Sequence, residues 1–221
     1  MKTYWEIPGP SKSPKQPCMA FMKYDGSNMR FEWSKKQGWH KFGTRHTMFG
    51  PGDQMWGKAI DIFNDCYAED LIKVFKEDKK IRQAQSVLVF CEYFGPKSFA
   101  GLHDPDDDME LVLFDINIHK RGIMSPQDFV HKFGHLKIPE VVYEGNFNNQ
   151  FVQDVKDGKY GAEEEGIVAK GVLPGKKAPH GLWMSKVKTK WWIDQLRIRC
   201  TSSDNFKKTL EDNEKEQNEN I

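Results

Sequence analysis

The chain has no apolar run long enough to cross a bilayer, and its opening residues, Met1-Lys2-Thr3-Tyr4-Trp5-Glu6, lack the apolar core of a secretion signal. Neither membrane insertion nor export is expected, and the cytoplasm is the expected compartment. Cysteine is sparse. Cys18, Cys66, Cys91 and Cys200 are scattered without paired metal-ligand spacing, so reduced thiols are expected. The seven histidines lack ligand spacing too, and internal repeats are absent. Net charge is nearly nil: 33 Lys and Arg against 32 Asp and Glu give +1, so the overall field offers no argument for nucleic acid.

What is present is enough for a packed core. The 221 residues are 38% hydrophobic and 13% aromatic, which suits one large domain or a domain with a small appendage. The charge is distributed unevenly. Lys170, Lys176, Lys177, Lys186, Lys188, Lys190, Arg197 and Arg199 fall in thirty residues with Asp194 as the acid among them. An acidic tail follows, with Asp204, Glu211, Asp212, Glu214, Glu216 and Glu219. The basic segment reads either as a grip on a phosphate backbone or as a solvated charged face.

Along the chain, residues 1–17 are rich in Pro, Lys and Ser and read as an irregular lead-in. Cys18–Met22 and the alternating run Met29–Trp33 read as strands, with Asp25-Gly26 as a hairpin-type turn signal between them. Another strand covers Trp39–Arg45. Ile60, Ile62, Phe63, Tyr67, Leu71, Val74 and Phe75 recur at helical spacing and predict one helix over 58–81. Strands are expected over Ser86–Phe94, Leu111–Ile116, 166–171 and Leu182–Lys188. His103–Asp108 is acidic but lacks the spacing and glycine of a calcium loop, and reads as solvated. Ser125-Pro126 starts a helix with its cap and first-turn proline, and a second short helix covers Asn148–Lys156. Trp191-Trp192 reads as core. Strands with helices inserted between them predict an α+β fold of mostly antiparallel sheets.

The stretch Lys23-Tyr24-Asp25-Gly26-Ser27-Asn28 carries the sharpest chemistry. An amine at the end of a buried strand can act as a covalent nucleophile, although most Lys-x-Asp-Gly strings are plain turns. The motifs that follow it, in order, alter that balance. Together with Cys91-Glu92-Tyr93-Phe94-Gly95, Leu113-Phe114-Asp115-Ile116, Glu165-Gly166-Ile167-Val168-Ala169-Lys170 and Lys186-Val187-Lys188, it resembles the covalent nucleotidyltransferase superfamily of polynucleotide ligases and messenger-RNA capping enzymes. The resemblance covers roughly residues 15–195. Asn28, where DNA ligases and capping enzymes carry an arginine nearby, and Arg45 downstream are similar to the RNA ligase branch that includes phage and RNA-editing ligases. Met22 departs from the acid that some of these ligases place there.

The resemblance implies an ATP-grasp-like nucleotidyltransferase domain over 1–195. The roughly thirty residues after Lys188 are too few for the five-stranded barrel that DNA ligases and capping enzymes append, so 196–221 is expected to be a short polar tail. The resemblance also implies an ATP-dependent ligase, with RNA preferred to DNA, that seals 5′-phosphate and 3′-hydroxyl ends through a lysyl-AMP intermediate. A minimal DNA ligase and a non-sealing end-binding protein are the alternatives. Lys23 is the implied nucleophile. Asn28, Arg45, Glu92, Phe114, Lys170, Lys186 and Lys188 are the implied ATP contacts, Glu165 a magnesium ligand, and ATP and Mg2+ the cofactors. Lys176, Lys177, Lys190, Arg197 and Arg199 are left for the nucleic acid. A monomer acting without a membrane is expected, and its compactness hints at a phage or other viral source.

Overall fold

The computed structural model describes residues 1–96, 106–161, 165–199 and 204–218. In chain order the strands are β1 (Pro17–Lys23), β2 (Ser27–Ser34), β3 (Gly38–Thr44), β4 (Met48–Phe49), β5 (Ser86–Phe94), β6 (Glu110–Ile118), β7 (Gly122–Ile123), β8 (Val141–Asn146), β9 (Gly166–Val172) and β10 (Leu182–Lys188). The helices are α1 (Gly57–Phe63), α2 (Glu69–Glu77), α3 (Lys79–Arg82), α4 (Pro126–Phe133), α5 (Asn149–Lys156), α6 (Lys190–Arg199) and α7 (Asp204–Asn218). Among the described residues no helix is long and apolar enough to cross a membrane. The chain divides into two compact units, one of Met1–Trp5 and Gly26–Ile138, the other of Glu6–Asp25 and Pro139–Ile221.

The first unit holds a six-stranded antiparallel sheet, β4-β3-β2-β5-β6-β7. The helix expected over 58–81 forms, but in pieces. A π turn over Asn64–Ala68 joins α1 to α2, and Asp78 breaks the helix and caps α3 through the amides of Lys80 and Ile81. The π turn has a physical use. Ile60, Phe63, Tyr67, Leu71 and Phe75 are all buried, and successive four-residue steps would drift around a regular helix; one wider turn restores them to a common face. That face is aromatic: Phe63 stacks on Phe31 at 3.9 Å, and Phe75 lies 5.4 Å from Trp33. Ser125 caps α4 as expected, accepting from the Asp128 amide.

The second unit holds a four-stranded antiparallel sheet, β10-β9-β1-β8. Helix α5, capped by Asn148, lies on a core of Cys18, Ala20, Phe147, Phe151, Val152, Val155, Ile167, Ala169, Trp183 and Val187. The hairpin reading of Asp25-Gly26 is corrected here. β1 pairs with β8 and β9, whereas β2 pairs with β3 and β5, so the turn links strands of different sheets. Gly26 is needed for close approach: a Cβ there would sit 2.5 Å from the Tyr93 carbonyl oxygen. Of the solvated loop expected over 103–108, Asp106–Asp108 are exposed, and His103–Pro105 lie outside the described residues.

Candidate functional site

Within the second unit, the pairing of β1, β9 and β10 brings together residues far apart in sequence. Lys23, the last residue of β1, is in register with Gly166, which is in turn in register with Lys188, the last residue of β10. Glu165 precedes Gly166 directly. Its carboxylate accepts from the Lys23 ammonium through one oxygen and from Lys188 at 2.7 Å through the other. The Lys23 side chain is 23% exposed, whereas Glu165 and Lys188 are 4% and 8% exposed. One lysine of the trio is therefore accessible and two charges are enclosed.

Gly166 makes this convergence possible. Its φ of +149° suits glycine, and a Cβ would stand 2.0 Å from the Val187 carbonyl oxygen. The charges are tuned by burial and by each other. Burial pushes the Glu165 carboxyl up, but Lys188 and Lys23 together outweigh it and hold it below its ordinary value. Burial pulls the Lys188 ammonium down and Glu165 opposes it, while Lys23 and Lys186 pull it further down. Lys188 also lies 3.8 Å from the centre of the buried Trp192 ring, so this core tryptophan doubles as a cation–π partner. Lys170 is 3% exposed with its ammonium 4.9 Å from the Phe21 ring centre, and Lys186 is partly exposed on β10.

The first unit carries a second cluster, aromatic and acidic. Asn28 on β2 is in register with Glu92 on β5, and the Asn28 Oδ1 is buried with no hydrogen-bond partner among the described residues. On β6, Phe90 faces Asp115 and Cys91 faces Leu113, so Phe114 is the extra residue of a β-bulge. The bulge turns Phe114 partly outward while Leu113 and Asp115 stay buried. Arg45 is exposed in the β3–β4 turn. Tyr4, which no sequence motif marks, donates its hydroxyl to Asp115 at 2.5 Å; burial first, then Asp115 and Glu92, push its pKa well up, and Arg45 opposes them.

The residues expected at nucleic acid differ in their surroundings. Lys176 and Lys177 are exposed in the β9–β10 loop. Lys190 is ion-paired with Asp157 at 2.5 Å, and Arg197 with Asp194 at 2.5 Å and Glu214 at 2.7 Å. Arg199 is on α6, its side chain outside the described residues.

A family model described as RNA ligase matches residues 16–196. The chain belongs to the RNA ligase family. No curated protein matches it. Among solved structures, a Naegleria gruberi RNA ligase with pyrophosphate aligns at a TM-score of 0.63 and 14% identity, covering 90% of this chain and 59% of that one. A mutant of the same ligase with ATP and manganese aligns at 0.62 and 14%, covering 88% and 58%. A protein of Aquifex aeolicus assigned as an ATP-dependent DNA ligase aligns at 0.62 and 14%, covering 98% and 58%. At these identities the likeness is one of fold, and it bears out the α+β nucleotidyltransferase architecture. The chain spans under two thirds of the length of the solved ligases it matches. All the RNA ligase motifs selected from sequence lie inside the matched region.

Proposed function

We propose that the protein is an ATP-dependent RNA ligase that joins 5′-phosphate and 3′-hydroxyl ends through AMP carried on Lys23. One observation carries the reading: an accessible lysine hydrogen-bonded to an enclosed carboxylate, inside the region that matches the RNA ligase family. Relatives solved with ATP and manganese or with pyrophosphate support it.

The amine attacks only without its proton, and the like charge of Lys188, which Lys23 meets across Glu165, favours loss of that proton. A bond forms from Lys23 Nζ to the α-phosphorus as the bond from that phosphorus to the bridging oxygen breaks, and pyrophosphate leaves with the electron pair. Lys186 and Lys188 supply positive charge for the phosphoryl oxygens. An oxygen of the 5′-phosphate then takes AMP from Lys23, restoring the amine. Last, the 3′-hydroxyl loses its proton, bonds to the 5′-phosphorus and expels AMP.

The residues present fit both cofactors. Among the described residues no group of three or more His, Cys, Asp or Glu could hold a metal alone. Magnesium asks for less: the Glu165 carboxylate with nucleotide oxygens and water is the donor set it takes, and when bound it neutralises charge on the phosphates. For the nucleoside, the partly exposed Phe114 offers a stacking face and Glu92 a ribose partner, and the buried Asn28 Oδ1 offers an acceptor. Arg45 and Lys170 complete the proposed ATP contacts, and the basic residues from Lys176 to Arg199 are proposed for the nucleic-acid backbone.

The test is incubation with ATP labelled at the α-phosphate, followed by a denaturing gel. Wild-type protein acquires a covalent label and Lys23→Ala acquires none, while circular dichroism shows the variant folded. An unlabelled wild type, or a labelled Lys23→Ala, would overturn the reading. A panel of nicked and single-stranded RNA and DNA then reads the substrate, with RNA sealed faster.

A further inference from the structure

Residues 1–17 read as an irregular lead-in, but Met1–Trp5 belong to the first unit, and Met1, Lys2 and Tyr4 are fixed to it by hydrogen bonds. The buried Arg30 guanidinium donates to the carbonyls of Met1 at 3.3 Å and Lys2 at 3.1 Å. Two residues on, Tyr4 is 5% exposed. Its ring meets Phe114 edge-on, with centroids 5.1 Å apart and planes at 89°, and meets Phe90 at 4.8 Å and 69°. Its hydroxyl donates to Asp115, the residue next to Phe114 in the chain.

A bulged residue has left the ladder that fixes the direction of its neighbours, so packing must set where its side chain points. Around Phe114 that packing includes Tyr4, edge-on, and Phe90, the latter at 6.2 Å and 23°. We propose that Tyr4 is a positioning residue for Phe114: its ring fixes the angle of the partly exposed phenyl that takes a purine base, and its hydroxyl fixes the backbone of the bulge through Asp115. This rests on the reading of Phe114 as the base-stacking ring. It makes the N-terminal segment part of the nucleoside site, a role that no motif assigns to it.

The experiment measures binding of adenosine and of inorganic pyrophosphate to the full chain by calorimetry, which needs no catalysis. Tyr4→Phe keeps the ring and loses one hydrogen bond; adenosine affinity falls about threefold. Tyr4→Leu loses the edge-to-face contact as well, and adenosine affinity falls about tenfold. Pyrophosphate affinity is unchanged in both. In lysyl-AMP formation the KM for ATP rises by the same factors and kcat stays within about twofold. In a Phe114→Leu background, Tyr4→Leu brings no further loss, because Tyr4 acts through that ring. A merely structural role would move both ligands together or lower kcat alone. Equal losses for adenosine and pyrophosphate, no loss in Tyr4→Phe, or a wild type that does not bind adenosine would overturn the proposal. A wild type that binds adenosine but forms no adduct would overturn the ligase reading and leave the role of Tyr4 standing.

Discussion

Glu165 accepts a hydrogen bond from Lys188 at 2.7 Å with both side chains under a tenth exposed. An enclosed ion pair of this kind is poor evidence of net stabilisation, because desolvation offsets the attraction; removing one partner alone is costly. Lys188→Met should therefore destabilise the protein by about 3–5 kcal/mol. In a protein of this size that is a fall of about 10 °C in Tm. The double variant Lys188→Met, Glu165→Gln should recover part of the loss. Urea denaturation of the three proteins measures it, and a single variant no less stable than the double would contradict the pairing.

Stability should fall at both ends of the pH range. Glu165 has a folded pKa held below its ordinary 4.5, so the unfolded chain binds more protons there and stability drains away as pH falls below about 4.5. At the alkaline end the sign reverses. Burial raises Cys18 from 9.0 to about 11, so it contributes stability that is complete below pH 9 and is lost as pH rises toward 11. Unfolding free energies measured from pH 3 to 11 should show a plateau between these limits, and Cys18→Ala should flatten its alkaline edge.

Lys176 and Lys177 are exposed, whereas Lys190 and Arg197 have acidic partners. Neutralising the first pair should weaken RNA binding and lower the slope of log affinity against log salt by about one unit for each phosphate that goes unneutralised. Neutralising Lys190 and Arg197 should lower it less. Lysyl-AMP formation should survive both changes. The reverse order of salt slopes would overturn the proposed division of these basic residues.

Gly166→Ala should be more damaging than an exposed glycine change, since the new Cβ would meet the Val187 carbonyl oxygen at 2.0 Å with φ at +149°. Separating β9 from β10 there pulls Glu165 from Lys188. We expect a loss of about 2–4 kcal/mol together with loss of adduct. Gly175→Ala has open space, although φ is +70°, and should cost about 1 kcal/mol with the adduct retained. The comparison of the two separates backbone strain from the geometry around Glu165.

The strands were legible in the sequence because alternation and β-branched or aromatic runs mark a half-buried pleat, and Ser86–Phe94 matches to the residue. The pairing of those strands was not. Asp25-Gly26 has hairpin chemistry, but β1 pairs with β8 and β9 far along the chain while β2 pairs with β3 and β5, and no local signal records that choice. The π turn over Asn64–Ala68 was hidden because an i, i+4 apolar pattern fits a regular helix almost as well. Tyr4 had no periodic context to mark it, and the Phe114 bulge leaves no trace in composition. The acids Asp157 and Glu214, paired with Lys190 and Arg197, lie 33 and 17 residues away, which a segment-by-segment charge count misses.

The distance along the chain between Lys23 and Glu165 is 142 residues. During synthesis at about 5–20 residues per second, Lys23 emerges roughly seven to thirty seconds before the carboxylate that pairs with it. β1 waits as long for β9, and longer for β10 to complete the sheet. A nascent chain therefore carries β1, with Lys23 at its end, without its sheet neighbours for most of its production. The sheet around Lys23 closes only after β10 has been made, so a ribosome-bound fragment ending before β9 carries Lys23 without the Glu165 carboxylate and Lys188 ammonium that surround it in the folded protein.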